Sequence, residues 1–179
     1  MKKFLGESGR LKIIRRNMND PRVRRSISRI VGRTELCSMA TVTPTGQAYI
    51  NTADYAYSHD YELCFISYPE SQHARNLKQN SSMAITVFDS HQPWNNPHQG
   101  LQFFGNAKEQ NDPGQVKRLE SLYAKRFRHY RKWKRETMEE EGEFRLRFYN
   151  FIPARVKIFD EKEFGEQTWV TASLRRTGT

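Results

Sequence analysis

The chain has no long apolar run. Nowhere in its 179 residues does a stretch approach the roughly 20 apolar residues that cross a bilayer as a helix. The basic opening, Met1 to Arg16, lacks the apolar centre of a secretory signal. Cysteine is scarce: Cys37 and Cys64 are the only two, too few for a disulfide framework or for a zinc site by themselves. A reducing, cytoplasmic setting is the expectation. Hydrophobic residues make up only 36%, which limits the chain to a modest core. No Gly-x-Ser-x-Gly, phosphate-loop or dinucleotide fingerprint is present. No two histidines have helical metal-ligand spacing; His91 and His98 frame the loop around Trp94 and read as polar loop residues, so no metal is expected. Aromatics are not scarce. With 8 Tyr and 11 Phe, the chain carries too many rings to be disordered.

Acidic charge is also short, with 20 Asp and Glu against 30 Lys and Arg and a net charge of +10. The excess is uneven: residues 1–35 carry net +8, residues 36–113 net −4, residues 114–150 net +5, and the remainder net +1. The middle therefore reads as an ordinary core with basic flanks. One flank is a basic arm over residues 1–18, expected to be weakly structured, with a single domain over 19–179. The other is the run Lys125 to Arg135, in which Phe127, Tyr130 and Trp133 interrupt the cations. Such a run suits nucleic acid, with charge for phosphates and rings for stacking. It equally suits a solvated helix face, balanced by Glu139 to Glu141.

Hydrophobic periodicity supplies the elements. Asn19-Asp20-Pro21 starts a helix in which Val23, Ile27, Ile30 and Val31 share one face. Strands are expected at 36–43, 47–57, 61–67, 82–89, 101–108, 144–151, 155–159 and 168–174, with turns at Pro44-Thr45-Gly46 and Ser58-His59-Asp60. A short helix at 70–79 turns Ala74 and Leu77 inward, and a long one runs from Asp112-Pro113 to about Glu136. The sum is a mainly β, α+β chain whose antiparallel strands form a barrel or a sandwich. Cys37 and Cys64 fall in apolar strands and read as small core hydrophobes.

Three segments carry a resemblance. Cys37-Ser38-Met39-Ala40-Thr41-Val42-Thr43-Pro44-Thr45-Gly46-Gln47-Ala48-Tyr49 resembles the opening hairpin of the pyridoxamine 5′-phosphate oxidase-like, FMN-binding split-barrel family. Leu63 to Ser67, followed by Ser71-Gln72-His73-Ala74-Arg75-Asn76-Leu77-Lys78-Gln79-Asn80, is similar to that family's strand and short helix. Leu101 to Lys108 resembles its strand bearing Gly-x-Ala.

The resemblance implies a six-stranded antiparallel split barrel with flanking helices, a homodimer, and a flavin at the subunit interface. It implies an FMN-dependent oxidoreductase acting on a small organic molecule. An F420-dependent reductase is the alternative, as is a non-catalytic module binding flavin, another anion or nucleic acid; haem is a further ligand of the superfamily. Carried over residue by residue, the cofactor contacts are Asn51, Thr52, Phe65, Ile66, Ser67, Ser71, Gln72, His73, Gln102 and, from the partner subunit, Trp169. A helix start at Ser71 favours a phosphate in its own right, through free N–H groups and the helix dipole. The family places Arg or Lys in the two positions after this serine; here stand Gln72 and His73, leaving Arg75 or a flank arginine to supply charge. The founding oxidase ends in Arg-Leu-x-Pro, whereas this chain ends Leu174-Arg175-Arg176-Thr177-Gly178-Thr179, so pyridoxamine phosphate oxidation is not expected. Tyr55, Tyr57 and His73 are the candidates for an acid or base. Trp94, in its Pro/Asn-rich loop, is expected to dock that loop, with a lid as the alternative.

Overall fold

A computed structural model describes the backbone of residues 3–8 and 11–174 and the side chains from Leu11 onward. The chain's last five residues, part of the terminal departure noted above, lie outside the described residues. Among those described, no helix is long and apolar enough to cross a membrane.

Two strands stand where weak structure was expected: β1 (Lys3–Ser8) and β2 (Leu11–Arg16). They hold because β2 buries Ile14 and pairs in parallel with β10 (Thr168–Ser173). That partner lies at the far end of the sequence, and periodicity carries no sign of it. Helix α1 (Pro21–Arg33) follows, its first turn closed by Asp20, which accepts from the Arg22 N–H at 2.9 Å. Pro21 loses nothing there, since a first-turn N–H has no helical partner. Val23, Ile27, Ile30 and Val31 are buried, as their spacing predicts.

β3 (Leu36–Val42) and β4 (Ala48–Asp54) form the expected hairpin. The long strand expected over 47–57 is interrupted at Tyr55, whose N–H still bonds Glu35 O at 3.1 Å beside β3; β5 (Ala56–Tyr57) resumes beyond it with β6 as its partner. β6 (Leu63–Ser67), α2 (Gln72–Gln79), β7 (Ser82–Phe88) and β8 (Gln99–Glu109) come next. The single helix expected from residue 112 is two, α3 (Pro113–Arg126) and α4 (Tyr130–Glu141). Phe127 closes the first, its N–H donating to Tyr123 O at 2.9 Å. The two strands expected around Pro153 are one, β9 (Arg147–Asp160). Pro153 is tolerated inside it because it lies opposite Gly105, where the β8–β9 register shifts. The short α5 (Glu161–Phe164) then leads into β10.

The sheet runs β1-β2-β10-β9-β8-β7-β3-β4, and β6 branches from β9 to pair with β5. The architecture is mainly β with flanking helices, and β2–β10 makes the sheet mixed. Ten strands stand among the described residues, and the six-strand detail of the expected barrel is not reproduced. Nor do the ladders close into a ring. The outer edge of β4 has no ladder partner among the described residues, and only β5, reached from β4 through Tyr55, bonds to β6. One core fills the curl, with Met39, Phe65, Ile85, Phe103, Phe151 and Ile158 fully buried beneath α1 and α2. A smaller cluster (Ala56, Cys64, Leu119, Tyr123, Tyr130, Phe148) seats α3 and α4 on the other side of β6 and β9. Both cysteines are buried and free, and burial pushes each thiol up to about 12. They are core residues, as read.

Candidate functional site

Alternation along the strands decides where each candidate goes, since neighbouring residues face opposite sides of the sheet. Asn51 lies between exposed Ile50 and Thr52 and opposite buried Met39, so it faces inward. Phe65 and Ser67 face inward as well, while Ile66 packs into the cluster beneath α3 and α4. Gln102 lies between buried Leu101 and Phe103 and faces outward. Thr52 and Trp169 also face outward. The predicted contacts therefore divide into two groups.

The inner group gathers where β6 enters α2. Ser71 caps the helix, its Oγ accepting from the Ala74 N–H at 3.4 Å. His73 Nε2 lies 2.7 Å from Ser67 Oγ and 3.1 Å from Ser71 Oγ, and the two hydroxyls are 3.2 Å apart. Three polar atoms thus converge on one point at a helix N-terminus. The His73 ring is buried edge-on against Phe65, which stacks on Tyr149 at 5.2 Å. Burial lowers the pKa of His73, because desolvation disfavours the cation; the imidazole is neutral at neutral pH. Gln72 reaches back to Asn76 at 2.8 Å, and Asn76 in turn donates to Thr41 at 3.0 Å. These bonds lock the helix onto β3.

Two arginines lie nearest this group in the fold, and neither guanidinium bonds it: Arg147 donates to the carbonyls of Phe144, Leu146 and Arg145. Arg75 folds back over the helix start, bonding Glu70 O and Gln72 Oε1, as its position four residues after the cap allows. Arg147 is the cross-strand partner of Ser67. Sequence reading missed Arg147 and the Tyr149 stack, since the β6–β9 register is not a local property. Asn51 Oδ1 is buried with no hydrogen-bond partner. A buried acceptor left unpaired is costly, and a bound molecule bearing an N–H would satisfy it.

Gln102 and Trp169 line a cleft of about 240 Å³ together with Thr86, Phe88, Gln92, His98 and Phe159, among others; Thr52 does not line it. Trp169 stacks on Phe159 at 4.7 Å, and Lys157 lies over its face at 4.2 Å. Ser67 pairs with Arg147 and Gln102 with Lys157. These positions are ten residues apart on β9, roughly 33 Å along an extended strand at about 3.3 Å per residue. The two groups also face opposite sides.

The remaining candidates sort quickly. Tyr55 is buried, bonded to Thr34 and to Val31 O, and burial pushes its hydroxyl far above the ordinary range; it braces α1. Tyr57 packs beside Arg126. The Trp94 side chain is 89% exposed, so it does not dock its loop. Gln92 does that instead, donating to Asp89 O and Gln99 O and accepting from the Gln99 N–H at 2.7 Å. Among the described residues, no cluster of His, Cys, Asp and Glu fits a metal ion.

A family model described as pyridoxamine 5′-phosphate oxidase matches residues 24–159. A comparison with curated proteins found no match. Among solved structures, the chain is similar to a protein of unknown function from Agrobacterium tumefaciens (18% identity, TM-score 0.57); the match covers 70% of this chain and half the length of that one. It is similar to a protein related to general stress protein 26, of the pyridoxinephosphate oxidase family, from Clostridium acetobutylicum (11% identity, 86% of this chain, 96% of that one, TM-score 0.64). It is also similar to a heme binding protein from Mycobacterium smegmatis (12% identity, 84% of this chain, 56% of that one, TM-score 0.64). At these identities the likeness is one of fold.

Proposed function

Because the chain belongs to the pyridoxamine 5′-phosphate oxidase family, we propose that it is a homodimeric, FMN-dependent oxidoreductase acting on a small organic molecule. The observation that carries the reading is the division of the site. A phosphate-sized group of hydroxyls lies at the α2 start, and a ring-lined cleft lies on the opposite side of the same sheet. One ligand meets both kinds of surface when a second copy of the chain brings its cleft to the first copy's α2.

The residues present fit such a group. Ser67 and Ser71 offer hydroxyls and α2 its N-terminal N–H groups, with Arg75 and Arg147 supplying charge in place of the family's basic pair. Asn51 Oδ1, buried without a donor, accepts an N–H from the ring system. Gln102 and Trp169 enclose a ring from the other protomer. When bound, FMN supplies the hydride chemistry, and the protein supplies orientation and electrostatics.

A second observation favours the dimer. The outer face around β3 and β7 is small and half-buried at Ser38, Ala40, Ala84 and Thr86. It is rimmed by Ile50, Leu36 and Phe88, which are 69%, 56% and 50% exposed. Uncovered apolar surface of this kind is what a partner covers.

An absorption spectrum of the purified protein, with identification of whatever is released on denaturation, tests the cofactor. Flavin bands with released FMN are expected. Ser67→Ala with Ser71→Ala is expected to weaken FMN uptake, and Ile50→Glu to yield a monomer that has lost it. A colourless protein that takes up no added FMN overturns the reading, and F420 and haem are then titrated in turn.

A further inference from the structure

The cations at residues 125–135 lie on the surface, except Arg126, which donates to Val31 O at 2.9 Å and to Thr34 O, and Lys134, which pairs with Glu120. The expected balance from Glu139 to Glu141 does not form, since none of the three pairs with them among the described residues. None of these side chains lines the cleft on the outer sheet face, where one ionisable group stands apart from the contacts assigned above.

Gly100 is the floor of that cleft. It faces outward with Gln102, and its cross-strand partners are Phe88 on β7 and Phe159 on β9. The two phenylalanines are therefore two strand spacings apart, about 10 Å, with no side chain between them. A flat ring lying between two others needs roughly 7 Å, two contacts of about 3.5 Å each. Trp169 backs Phe159 at 4.7 Å. Along the strand, the same alternation sets His98 on one side of Gly100 and Gln102 on the other, each roughly 7 Å away. Four side chains thus frame the space over Gly100, two apolar across the strands and two polar along them.

His98 is the one residue lining the cleft that has an ionisable side chain. Its backbone is fixed: the N–H donates to Glu161 Oε2 at 2.9 Å, and the carbonyl accepts from the Glu161 N–H at 3.2 Å. The next residue is held as well, the Gln99 N–H donating to Gln92 at 2.7 Å. Glu161 is anchored in turn by the Gln167 N–H at 2.9 Å. Burial acts to raise the pKa of Glu161, but the Gln167 and His98 N–H groups, with the His98 ring, hold it below the usual carboxylate range. A carboxylate therefore stands beside the imidazole. The other charged groups on the surrounding elements are Lys157 over the Trp169 face, Lys162 on α5, and Asp89 with His91 after β7; none of them lines the cleft. Histidine is the side chain most often used to donate and accept protons in enzyme sites.

We propose that His98 is a catalytic residue, exchanging a proton with a flat substrate that lies over Gly100 and bears a C=O or C=N bond. The step rests on the flavin-dependent reading of the site. In the reducing direction, two electrons and one hydrogen reach the substrate carbon as a hydride from the reduced flavin. The double bond opens onto its heteroatom, and that atom takes a proton from the His98 imidazolium. The flavin is left oxidised and His98 neutral, to be reprotonated by solvent.

The test is anaerobic stopped flow on the full-length, flavin-loaded protein after reduction by dithionite. One acceptor is menadione, a flat quinone that must gain protons; the other is ferricyanide, which takes electrons alone. His98→Gln is expected to slow reoxidation by menadione about a hundredfold or more and to leave reoxidation by ferricyanide unchanged. Binding is read apart from turnover, by NMR of the flavin-free protein. There the His98 ring signal, identified by its loss in His98→Gln, is expected to move when menadione is added. In Gly100→Ala the new methyl group meets Phe88 Cβ at 3.4 Å and Val87 O at 3.6 Å, contacts the fold accepts. It raises the floor, and menadione is expected to bind about tenfold more weakly. A wild type that takes up no flavin overturns the flavin reading itself, and this step with it. With flavin bound, the proposal alone is overturned if His98→Gln reacts with menadione at the wild-type rate, if it slows with both acceptors equally, or if menadione leaves the His98 signal in place.

Discussion

Replacing Gly105 by alanine tests how tightly β8 and β9 are joined. A Cβ at this position would lie 2.1 Å from Ile152 O and 2.7 Å from the Pro153 Cα. Both are backbone atoms, so no side chain can swing aside; the strands themselves must separate by about 1.4 Å, since normal contacts begin at roughly 3.5 Å. Separation at the register shift loosens the ladder bonds on either side. Two such bonds at about 1 kcal/mol each, with about 1–3 kcal/mol for overpacking, give about 3–5 kcal/mol. For a chain of this size that lowers the melting temperature by about 6–20 °C. Gly142→Ala is the control. It sits at φ +77 with nothing within 4 Å, and its cost is backbone strain alone, about 1–2 kcal/mol. Scanning calorimetry of both variants and the wild type reads the difference. If Gly105→Ala loses no more than Gly142→Ala, the close approach is not what holds these strands, and the argument fails. The same separation would move Gln102 relative to Lys157, so ligand uptake by the cleft is expected to fall with stability.

Two further outcomes follow from buried polar groups. Asp160 is fully buried at the end of β9, accepting from Ser26 Oγ at 2.5 Å, from Arg29, and from the Glu163 N–H at 3.3 Å. Asp160→Ala leaves Arg29 without its partner, and a loss of about 3–5 kcal/mol is expected in urea unfolding; a loss under about 1 kcal/mol would show that solvent replaces the carboxylate. His73 has its pKa lowered from 6.5 by burial, so the unfolded chain takes up this proton first. Its contribution to stability is whole above pH 6.5 and is lost as pH falls through the lowered folded value. The urea midpoint of the wild type is expected to fall between pH 7.5 and pH 5 by a component that His73→Asn lacks, and an identical pH dependence in the variant would refute this.

Local chemistry was legible in the sequence. The Asp20 and Ser71 caps, the Pro44-Thr45-Gly46 turn, the inward Ala74 and Leu77 and both core cysteines stand as their types and spacing predict. What escaped depends on partners distant in sequence. β2 is a strand because β10 lies beside it, and β9 passes through Pro153 because Gly105 yields the space. Arg126 belongs to a run of exposed cations by sequence, yet it bonds the carbonyls at the end of α1. The candidate site follows the same rule. Alternation separates Asn51 from Thr52 by face, but nothing local sets Arg147 beside Ser67 or brings Phe159 against Trp169. Trp94 reversed expectation for a related reason: the loop is tied down by one glutamine, and the large ring is left in solvent.

The parallel pairing of β2 with β10 has a consequence for biosynthesis. Leu11–Arg16 leaves the ribosome well before its partner strand, Thr168–Ser173. Until that partner exists, Ile14 has no core to enter and the β1–β2 hairpin stands alone, which is marginal in water. A nascent chain therefore carries this cationic hairpin unattached until the later strand has been made. Once β10 has docked against β9, its free edge is in turn a template for any passing strand. Completion of the sheet thus depends on a race at that edge between the chain's own early hairpin and other chains, and slow contacts between distant segments lose such races at high concentration. Expression yield is where a weakened β2 would first be felt, before any loss in the folded protein's activity.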